Sequence, residues 1–129
     1  MNLSEKEALQ YSPLTLAYLG DAVYEQLVRK KIVSECNMST GELHKLATGR
    51  VCAVYQSKAF DAIMPFLSER EISVMKRGRN ATGNTVPRHT NVADYRRATA
   101  VECLFGYLCL TGNEKRTEEL FSIIWEIQD

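Results

Sequence analysis

Apolar residues recur at three- and four-residue steps through most of this chain, which is the spacing of helices that bury one face. The pattern predicts five helices, at about residues 12–32, 39–63, 68–76, 92–110 and 113–125. No stretch alternates apolar and polar residues in the way that a half-buried strand does. The sequence therefore predicts an all-α fold.

Serine residues mark the start of three of these helices. Ser12 stands directly before Pro13, an order that favours an N-cap followed by the first helical residue. Ser39 and Ser68 are each followed three residues later by a glutamate, which is the spacing of a capping box. Residues 77–88 have no periodicity, two glycines and a proline. They are predicted to form an exposed loop.

Length and composition indicate one globular domain over residues 1–129. The chain is 45% hydrophobic and 25% charged. It has no apolar run long enough to span a membrane, and its polar N-terminus lacks the features of a signal peptide. We therefore expect a cytoplasmic protein with no membrane partner. The four cysteines form no Cys-x-x-Cys pair, so we interpret them as small core residues and expect no zinc site.

The formal net charge is zero, but the charge is unevenly distributed. Residues 76–97 contain six basic side chains and one acidic one, a net charge of +5 that leaves −5 for the remainder. Because lysine and arginine neutralise phosphates, this segment favours a polyanionic ligand over the alternative of a solvated loop. The candidate nucleic-acid contacts are Lys76, Arg77, Arg79, Asn80 and Arg88.

Two acids stand in apolar helical runs, where a carboxylate is costly unless it is paired or binds a metal. Asp21 lies within residues 16–25, and Glu102 lies within residues 98–108. One hypothesis is a shared site for Mg²⁺, which takes oxygen ligands, needs only one or two protein carboxylates and supports phosphodiester hydrolysis. The alternative is that each acid occupies a solvated position. Spacing alone does not decide between them.

Two further acids lie close to these candidates along the chain. Glu25 is one helical turn after Asp21, and it is either an outer partner of a metal or an ordinary surface acid. Asp94 lies near the start of the helix predicted over 92–110. An acid at that position stabilises the positive end of the helix dipole, so we interpret Asp94 as a structural residue.

Several segments resemble the ribonuclease III catalytic-domain family. Residues 18–23 read YLGDAV, similar to the helix signature in which a Phe/Tyr-Leu-Gly-Asp core supplies a metal-binding acid. Residues 98–106 read ATAVECLFG, similar to the segment in which a glutamate precedes an Ala/Cys-Leu-x-Gly run. Residues 76–81, KRGRNA, resemble the family's short bacterial branch, mini-ribonuclease III, which has no double-stranded-RNA-binding domain. The resemblance covers roughly residues 12–125.

The resemblance implies a Mg²⁺-dependent endoribonuclease in which Asp21 and Glu102 are catalytic and hold the metal, with Mn²⁺ as a substitute. It implies that double-stranded RNA, in a stem of precursor large-subunit ribosomal RNA, is cut to leave 5′-phosphate and 3′-hydroxyl ends. Full-length members of the family carry further acids at the positions of Leu14, Ala17 and Thr99 in this chain. Few protein ligands therefore remain for each metal site.

The resemblance also implies a homodimer that pairs through the signature helices and spans the RNA duplex. Such a dimer would cover the apolar residues Leu14, Leu16, Tyr18 and Leu19. One alternative is a non-catalytic RNA-binding or ribosome-associated domain of the same fold. The presence of both Asp21 and Glu102 argues against it, because a domain without catalysis does not need them. Another is an all-α interaction domain, which leaves the +5 segment unexplained.

Overall fold

The computed structural model describes residues 2–81 and 86–128, and within them every regular element is helical. The predicted all-α fold is therefore confirmed. The elements are α1 (Glu5–Leu9), α2 (Pro13–Glu35), α3 (Thr40–Val51), α4 (Ala53–Ile63), a 3₁₀ turn (Met64–Phe66), α5 (Glu69–Arg79), α6 (Val92–Leu110) and α7 (Glu114–Trp125).

The predicted caps set most of the helix starts. The Ser12 hydroxyl accepts a hydrogen bond from the Leu14 N–H at 3.2 Å, with Pro13 as the first residue of α2. Ser68 begins α5 with a complete capping box. Ser39 caps α3 by accepting from the backbone N–H of Glu42 at 3.3 Å. The second bond of the predicted capping box, from the Ser39 backbone N–H to the Glu42 side chain, is not formed. That part of the prediction is therefore wrong.

Several boundaries differ from the sequence prediction, among them the end of α2, which is at Glu35 instead of residue 32. The helix predicted over residues 39–63 is two helices, because Cys52 adopts an extended conformation (φ −70°, ψ 157°). The Arg50 carbonyl beside this break accepts from the Tyr24 hydroxyl at 2.8 Å, so a side chain on α2 satisfies it. Helix α5 continues to Arg79 instead of ending at Lys76, and the short helix α1 was not predicted.

Helix α6 forms the centre of the fold and packs against α2, α4 and α5. It meets α2 at two glycines, where backbone touches backbone. A Cβ atom on Gly20 would lie 1.6 Å from the Glu102 carbonyl oxygen, and one on Gly106 would lie 1.9 Å from that of Leu16. No other residue fits at this crossing without moving the helices apart. The contact brings the turn of α2 that follows Gly20 against the turn of α6 that carries Glu102.

Arg50, at the end of α3, anchors the start of α4 to α7. Its guanidinium lies 3.9 Å from the centre of the Trp125 ring and 5.1 Å from that of Tyr55. It also donates to the Trp125 carbonyl at 2.9 Å, and the Tyr55 hydroxyl donates to the Ile124 carbonyl at 2.6 Å. Stacking and hydrogen bonds together fix the direction in which α4 leaves the break at Cys52.

The cysteines only partly follow the prediction that they are core residues. Cys103 is buried on α6 and Cys36 is half-buried, but Cys52 and Cys109 are exposed. Cys52 is exposed because it lies at the break between two helices, where periodicity no longer sets the buried face. Within the described residues, no helix has the length and apolar content that crossing a bilayer requires.

Candidate active site

Asp21 and Glu102 meet beside the glycine crossing of α2 and α6. Asp21 directly follows Gly20, the residue in backbone contact with α6, so its side chain emerges at the edge of the contact. The Asp21 and Glu102 carboxyl groups lie within hydrogen-bonding reach of each other. Two acids that are 81 positions apart in sequence are therefore brought close together, which is the placement that the hypothesis of a shared metal site requires.

The two carboxyl groups differ in exposure. Glu102 is half-buried, whereas Asp21 is exposed. The expectation that both acids are carried into apolar surroundings is therefore wrong for Asp21. Its small and apolar sequence neighbours include Gly20, which faces α6, while Asp21 lies one residue further round the helix and faces solvent.

Burial raises the pKa of Glu102 to about 8, with smaller contributions from the negative charge of Asp21 and from the hydrogen bond between the two groups. The Gln56 amide acts in the opposite direction and lowers the pKa. No basic side chain is among the groups that shift it. Two close carboxyls without a nearby cation disfavour full ionisation, and a divalent cation bound between them would remove this penalty.

Gln56 is the third polar residue of the site, and no motif in the sequence singled it out. It lies on α4, is 2% exposed, and its amide faces Glu102. Its side-chain Nε2 has no hydrogen-bond partner in the described part of the chain. The sequence around Gln56, between Tyr55 and Ser57, has no feature that marks it as a functional residue. The available signal was its position on the same helical face as Ala59, Phe60 and Ile63, all of them buried.

The other acids singled out in the sequence do not join the site. Glu25 pairs with Arg29 at 3.3 Å, one turn further along α2, as an ordinary surface acid does. Asp94 lies in the first turn of α6, where its backbone N–H donates to the Asn91 cap at 3.1 Å. The Tyr24 hydroxyl is held by the Arg50 carbonyl and is therefore not available to the carboxyls.

The residues present fit a hard divalent cation. Asp21 and Glu102 offer carboxylate oxygens, the ligands that Mg²⁺ prefers, and Mg²⁺ usually retains several waters. Among residues 2–81 and 86–128, no group of three or more histidine, cysteine, aspartate or glutamate side chains could hold a metal. Thr99, at a position where full-length family members have an acid, donates its hydroxyl to the Tyr95 carbonyl at 3.0 Å. A cation here would therefore have two protein carboxylates as ligands.

The predicted RNA-contacting residues cluster around the end of α5. Arg77 and Arg79 belong to the helix instead of the predicted loop, and Asn80 is its C-cap. Gly78 packs this end of α5 onto α6, where its Cβ would lie 2.7 Å from that of Cys103. The basic end of α5 therefore contacts the turn of α6 that carries Glu102.

The remaining predicted contacts are exposed. Lys76 is exposed on α5, and Arg88 is exposed in a turn between α5 and α6. Lys76 and Asn80 line a shallow groove with Arg77, whose guanidinium donates to the Tyr11 carbonyl at 3.2 Å. Residues 82–85 of the predicted loop lie outside the described residues.

Comparison with known proteins gives the same class of protein as the fold and the two acids. Residues 14–113 match the Ribonuclease III domain family. Among similar curated proteins, a mini-ribonuclease 3 from Brevibacillus brevis is 42% identical over 109 residues, covering 84% of this chain and 81% of that protein. A mini-ribonuclease 3 from Staphylococcus aureus is 37% identical over 115 residues, covering 88% of this chain and 86% of that protein.

A crystal structure of a protein from Fusobacterium nucleatum matches with a TM-score of 0.82 and 33% identity, covering 88% of this chain and 93% of that one. The chain therefore belongs to the ribonuclease III domain family. Membership makes it an endoribonuclease, as the resemblance in sequence predicted. The resemblance to the short branch, mini-ribonuclease III, is likewise confirmed.

Proposed function

We propose that this endoribonuclease cuts double-stranded RNA with Mg²⁺, or Mn²⁺ in its place, held by Asp21 and Glu102. The observation that carries the proposal is the contact between these two carboxyl groups at the crossing of α2 and α6. Neither group is engaged by a basic side chain in the described ion pairs. Their joint affinity for a cation is therefore the simplest account of why two acids adjoin here.

The chain's own groups have defined tasks in this proposal. Asp21, which is exposed, and Glu102, which is half-buried, would each supply carboxylate oxygens to hold the cation. When bound, a divalent cation activates water and neutralises the charge that develops on the phosphate and the leaving oxygen. The products are then a 5′-phosphate and a 3′-hydroxyl end.

The direct test is to measure cleavage of a plain RNA duplex by Asp21→Asn and Glu102→Gln variants. Both substitutions remove a charged ligand while keeping side-chain volume, so we expect no cleavage, an intact fold and retained RNA binding. Glu25→Gln is the matched control, because Glu25 lies one turn from Asp21 and pairs with Arg29. Near-normal cleavage by either site variant, or cleavage by the wild type in EDTA, would contradict the proposal.

We propose that the RNA backbone is bound by the basic residues around the end of α5, together with the asparagine that caps this helix: Lys76, Arg77, Arg79, Arg88 and Asn80. Replacing Arg77, Arg79 and Arg88 with alanine should weaken duplex binding and reduce the salt slope by about one unit for each phosphate that is no longer neutralised. The control is a triple alanine variant of Arg29, Lys30 and Lys31, which are exposed on α2. Equal decreases in the two variants would mean that α5 is not the RNA-binding element.

We further propose that two copies pair through α2. Tyr18 is 84% exposed there, an unusual state for a large side chain in a small domain. Leu16, which was expected at the same surface, is fully buried within its own chain, and that expectation is wrong. Tyr18→Arg should convert a dimer to a monomer in light scattering. Val33→Arg, at a residue that is 60% exposed on the same helix, should leave the dimer intact.

The substrate that we propose is a stem of precursor large-subunit ribosomal RNA, encountered in the cytoplasm. Support comes from the resemblance to mini-ribonuclease III alone. The test compares cleavage of that stem with cleavage of an unrelated duplex of the same length. If both RNAs were cleaved at one defined position and at equal rates, the ribosomal stem would not be the specific substrate. The proposal that the protein is a nuclease for double-stranded RNA would be unaffected.

A further inference from the structure

Gln56 differs from the other buried polar and charged side chains in the described part of the chain, except for the Tyr107 hydroxyl, which also lacks a hydrogen-bond partner. The others have hydrogen-bond partners: Ser57, Glu71, Thr99 and Thr117. Gln56 is as deeply buried, at 2% exposed, but its Nε2 has none. A buried donor without a partner destabilises the fold, so its retention calls for a physical explanation.

The surroundings hold the Gln56 side chain against Glu102. On one side, the Tyr55 hydroxyl donates to the Ile124 carbonyl of α7 at 2.6 Å. On the other side, the Ser57 hydroxyl accepts from Arg97 of α6 at 3.5 Å. Both neighbours tie this turn of α4 to other helices, and Gln56 has little freedom to seek another acceptor. The acceptor that its amide faces is the Glu102 carboxyl.

A carboxylate can serve a cation and an amide at the same time. It has two oxygens and about four acceptor directions, whereas an amide nitrogen offers two N–H groups. Glu102 can therefore direct one oxygen towards the cation shared with Asp21 and accept an N–H on the other. Groups that donate to a metal-ligating side chain fix its orientation, and their loss typically weakens metal affinity by about 10- to 100-fold.

We infer that Gln56 is a positioning residue, whose side-chain N–H orients the Glu102 carboxylate for the cation that it shares with Asp21. The inference rests on the proposed function, because it requires Asp21 and Glu102 to be the ligands. It adds a third residue, contributed by α4, to a site formed by α2 and α6. Gln56 touches neither the RNA nor the cation.

The test is Gln56→Met, which preserves length and volume and removes both N–H groups. Mn²⁺ binding is measured without RNA, from the electron paramagnetic resonance signal of the free ion. We expect affinity to fall by about 10-fold. The metal-free thermal midpoint is measured in parallel, so that a loss of metal affinity is distinguished from a loss of the fold. In duplex cleavage, the Mn²⁺ concentration for half-maximal rate should rise by the same factor, with most of the rate recovered at saturating Mn²⁺.

Two further variants make the outcome specific to the site. Gln56→Asn keeps the amide group on a side chain that is one carbon shorter. We expect its Mn²⁺ affinity to lie between that of Gln56→Met and that of the wild type. Thr117→Val removes another buried polar group, on α7, and should leave Mn²⁺ affinity unchanged. All variants are compared at a temperature where their metal-free forms are folded. Unchanged Mn²⁺ affinity in Gln56→Met would overturn the inference, whatever happens to its thermal midpoint.

Asp21→Asn and Glu102→Gln, measured in the same titration, separate the two levels of the proposal. If both lose Mn²⁺ binding and Gln56→Met does not, the positioning role is wrong and the proposed function stands. If the wild type binds no Mn²⁺, or if the two acid variants bind it normally, the metal site is wrong and the role of Gln56 falls with it.

Discussion

Two glutamates of this protein, Glu71 and Glu102, are both withdrawn from solvent but lie in opposite electrostatic surroundings. Glu71 caps α5 and is held by Arg116, whose Nε and Nη2 each donate to a carboxylate oxygen at 2.9 Å. These hydrogen bonds lower the pKa of Glu71. Glu102 instead adjoins another acid, and its burial raises the pKa to about 8.

The difference separates a structural acid from a candidate functional one. Glu71 has all of its charge compensated within the fold, through Arg116 and the Ser68 cap, and needs no further partner. Glu102 has none of its charge compensated by a basic group among those that set its pKa. A half-buried acid in that state destabilises the fold unless a cation from outside joins it. The contrast gives four predictions, from the largest expected effect to the smallest.

The largest effect is expected on activity. Glu102→Gln should abolish duplex cleavage, because it removes a proposed ligand, whereas Glu71→Gln should keep the full rate per folded molecule. Cleavage is measured under single-turnover conditions, with the concentration of folded enzyme determined by circular dichroism. Loss of cleavage in both variants to the same extent would mean that the contrast between the two acids does not mark the active site.

The next effect concerns the crossing that brings Asp21 and Glu102 together. Gly20→Ala places a methyl group where the Glu102 carbonyl oxygen lies 1.6 Å away, so α2 and α6 must separate. We expect a loss of about 3 kcal/mol in the free energy of unfolding, the upper part of the range for overpacking, together with loss of cleavage.

Gly49→Ala is the control for that substitution. Nothing lies within 4 Å of a Cβ atom on Gly49, which is also in a helix. We expect it to stabilise the protein by up to about 1 kcal/mol, through helix propensity. Urea denaturation measures both variants. If Gly20→Ala is tolerated as well as Gly49→Ala, close backbone contact does not position the acids.

A smaller effect is expected from removing the compensated acid. Glu71→Gln removes the buried charge that Arg116 pairs with, although Arg116 keeps Glu119 and the Phe66 carbonyl, and it weakens the cap of α5. We expect a loss of about 2 kcal/mol in the free energy of unfolding. Metal-free Glu102→Gln should be at least as stable as the wild type near neutral pH, because it removes an uncompensated acid. The same urea denaturation compares them, and a greater loss in Glu102→Gln would reverse the assignment of the two roles.

The smallest effect is on the pH dependence of metal-free stability. The folded pKa of Glu102 is raised, so the folded protein binds more protons than the unfolded chain between about pH 4.5 and 8. Its contribution to stability therefore falls as pH rises through that window. Glu71 contributes with the opposite sign: its lowered pKa gives stability that is present above pH 4.5 and lost as pH falls below it.

Thermal midpoints measured from about pH 2 to 9 in EDTA test this difference. Compared with the wild type, Glu102→Gln should lose less stability as pH rises, and Glu71→Gln should lose less as pH falls. Mn²⁺ added in place of EDTA should offset the decline at high pH in the wild type and in Glu71→Gln, but not in Glu102→Gln. If the thermal midpoints of the wild type and of Glu102→Gln changed with pH in parallel, the pKa of Glu102 would not be raised in the folded protein.

Much of this fold was predictable because its signals are local. The bounds of α6 and the caps at Ser12 and Ser68 depend on neighbouring residues, and each was predicted correctly. The break at Cys52 was missed because apolar spacing continues through it. What stabilises the break is a hydroxyl on α2, at Tyr24, which lies 26 positions before the carbonyl it binds. The extension of α5 to Arg79 was missed because glycine usually marks a turn, whereas Gly78 is required by close packing on α6.

By itself, the sequence determined the class of fold, the family and the two candidate acids, because helix signals and family motifs are carried by short segments. The tertiary structure alone decided that Asp21 and Glu102 meet, that Asp21 faces solvent, and that Gln56 joins them from α4. These facts depend on how closely α2 and α6 approach at Gly20 and Gly106 and on how α4 is turned by Arg50. Distances between helices are set by packing across the whole domain, and no local pattern encodes them.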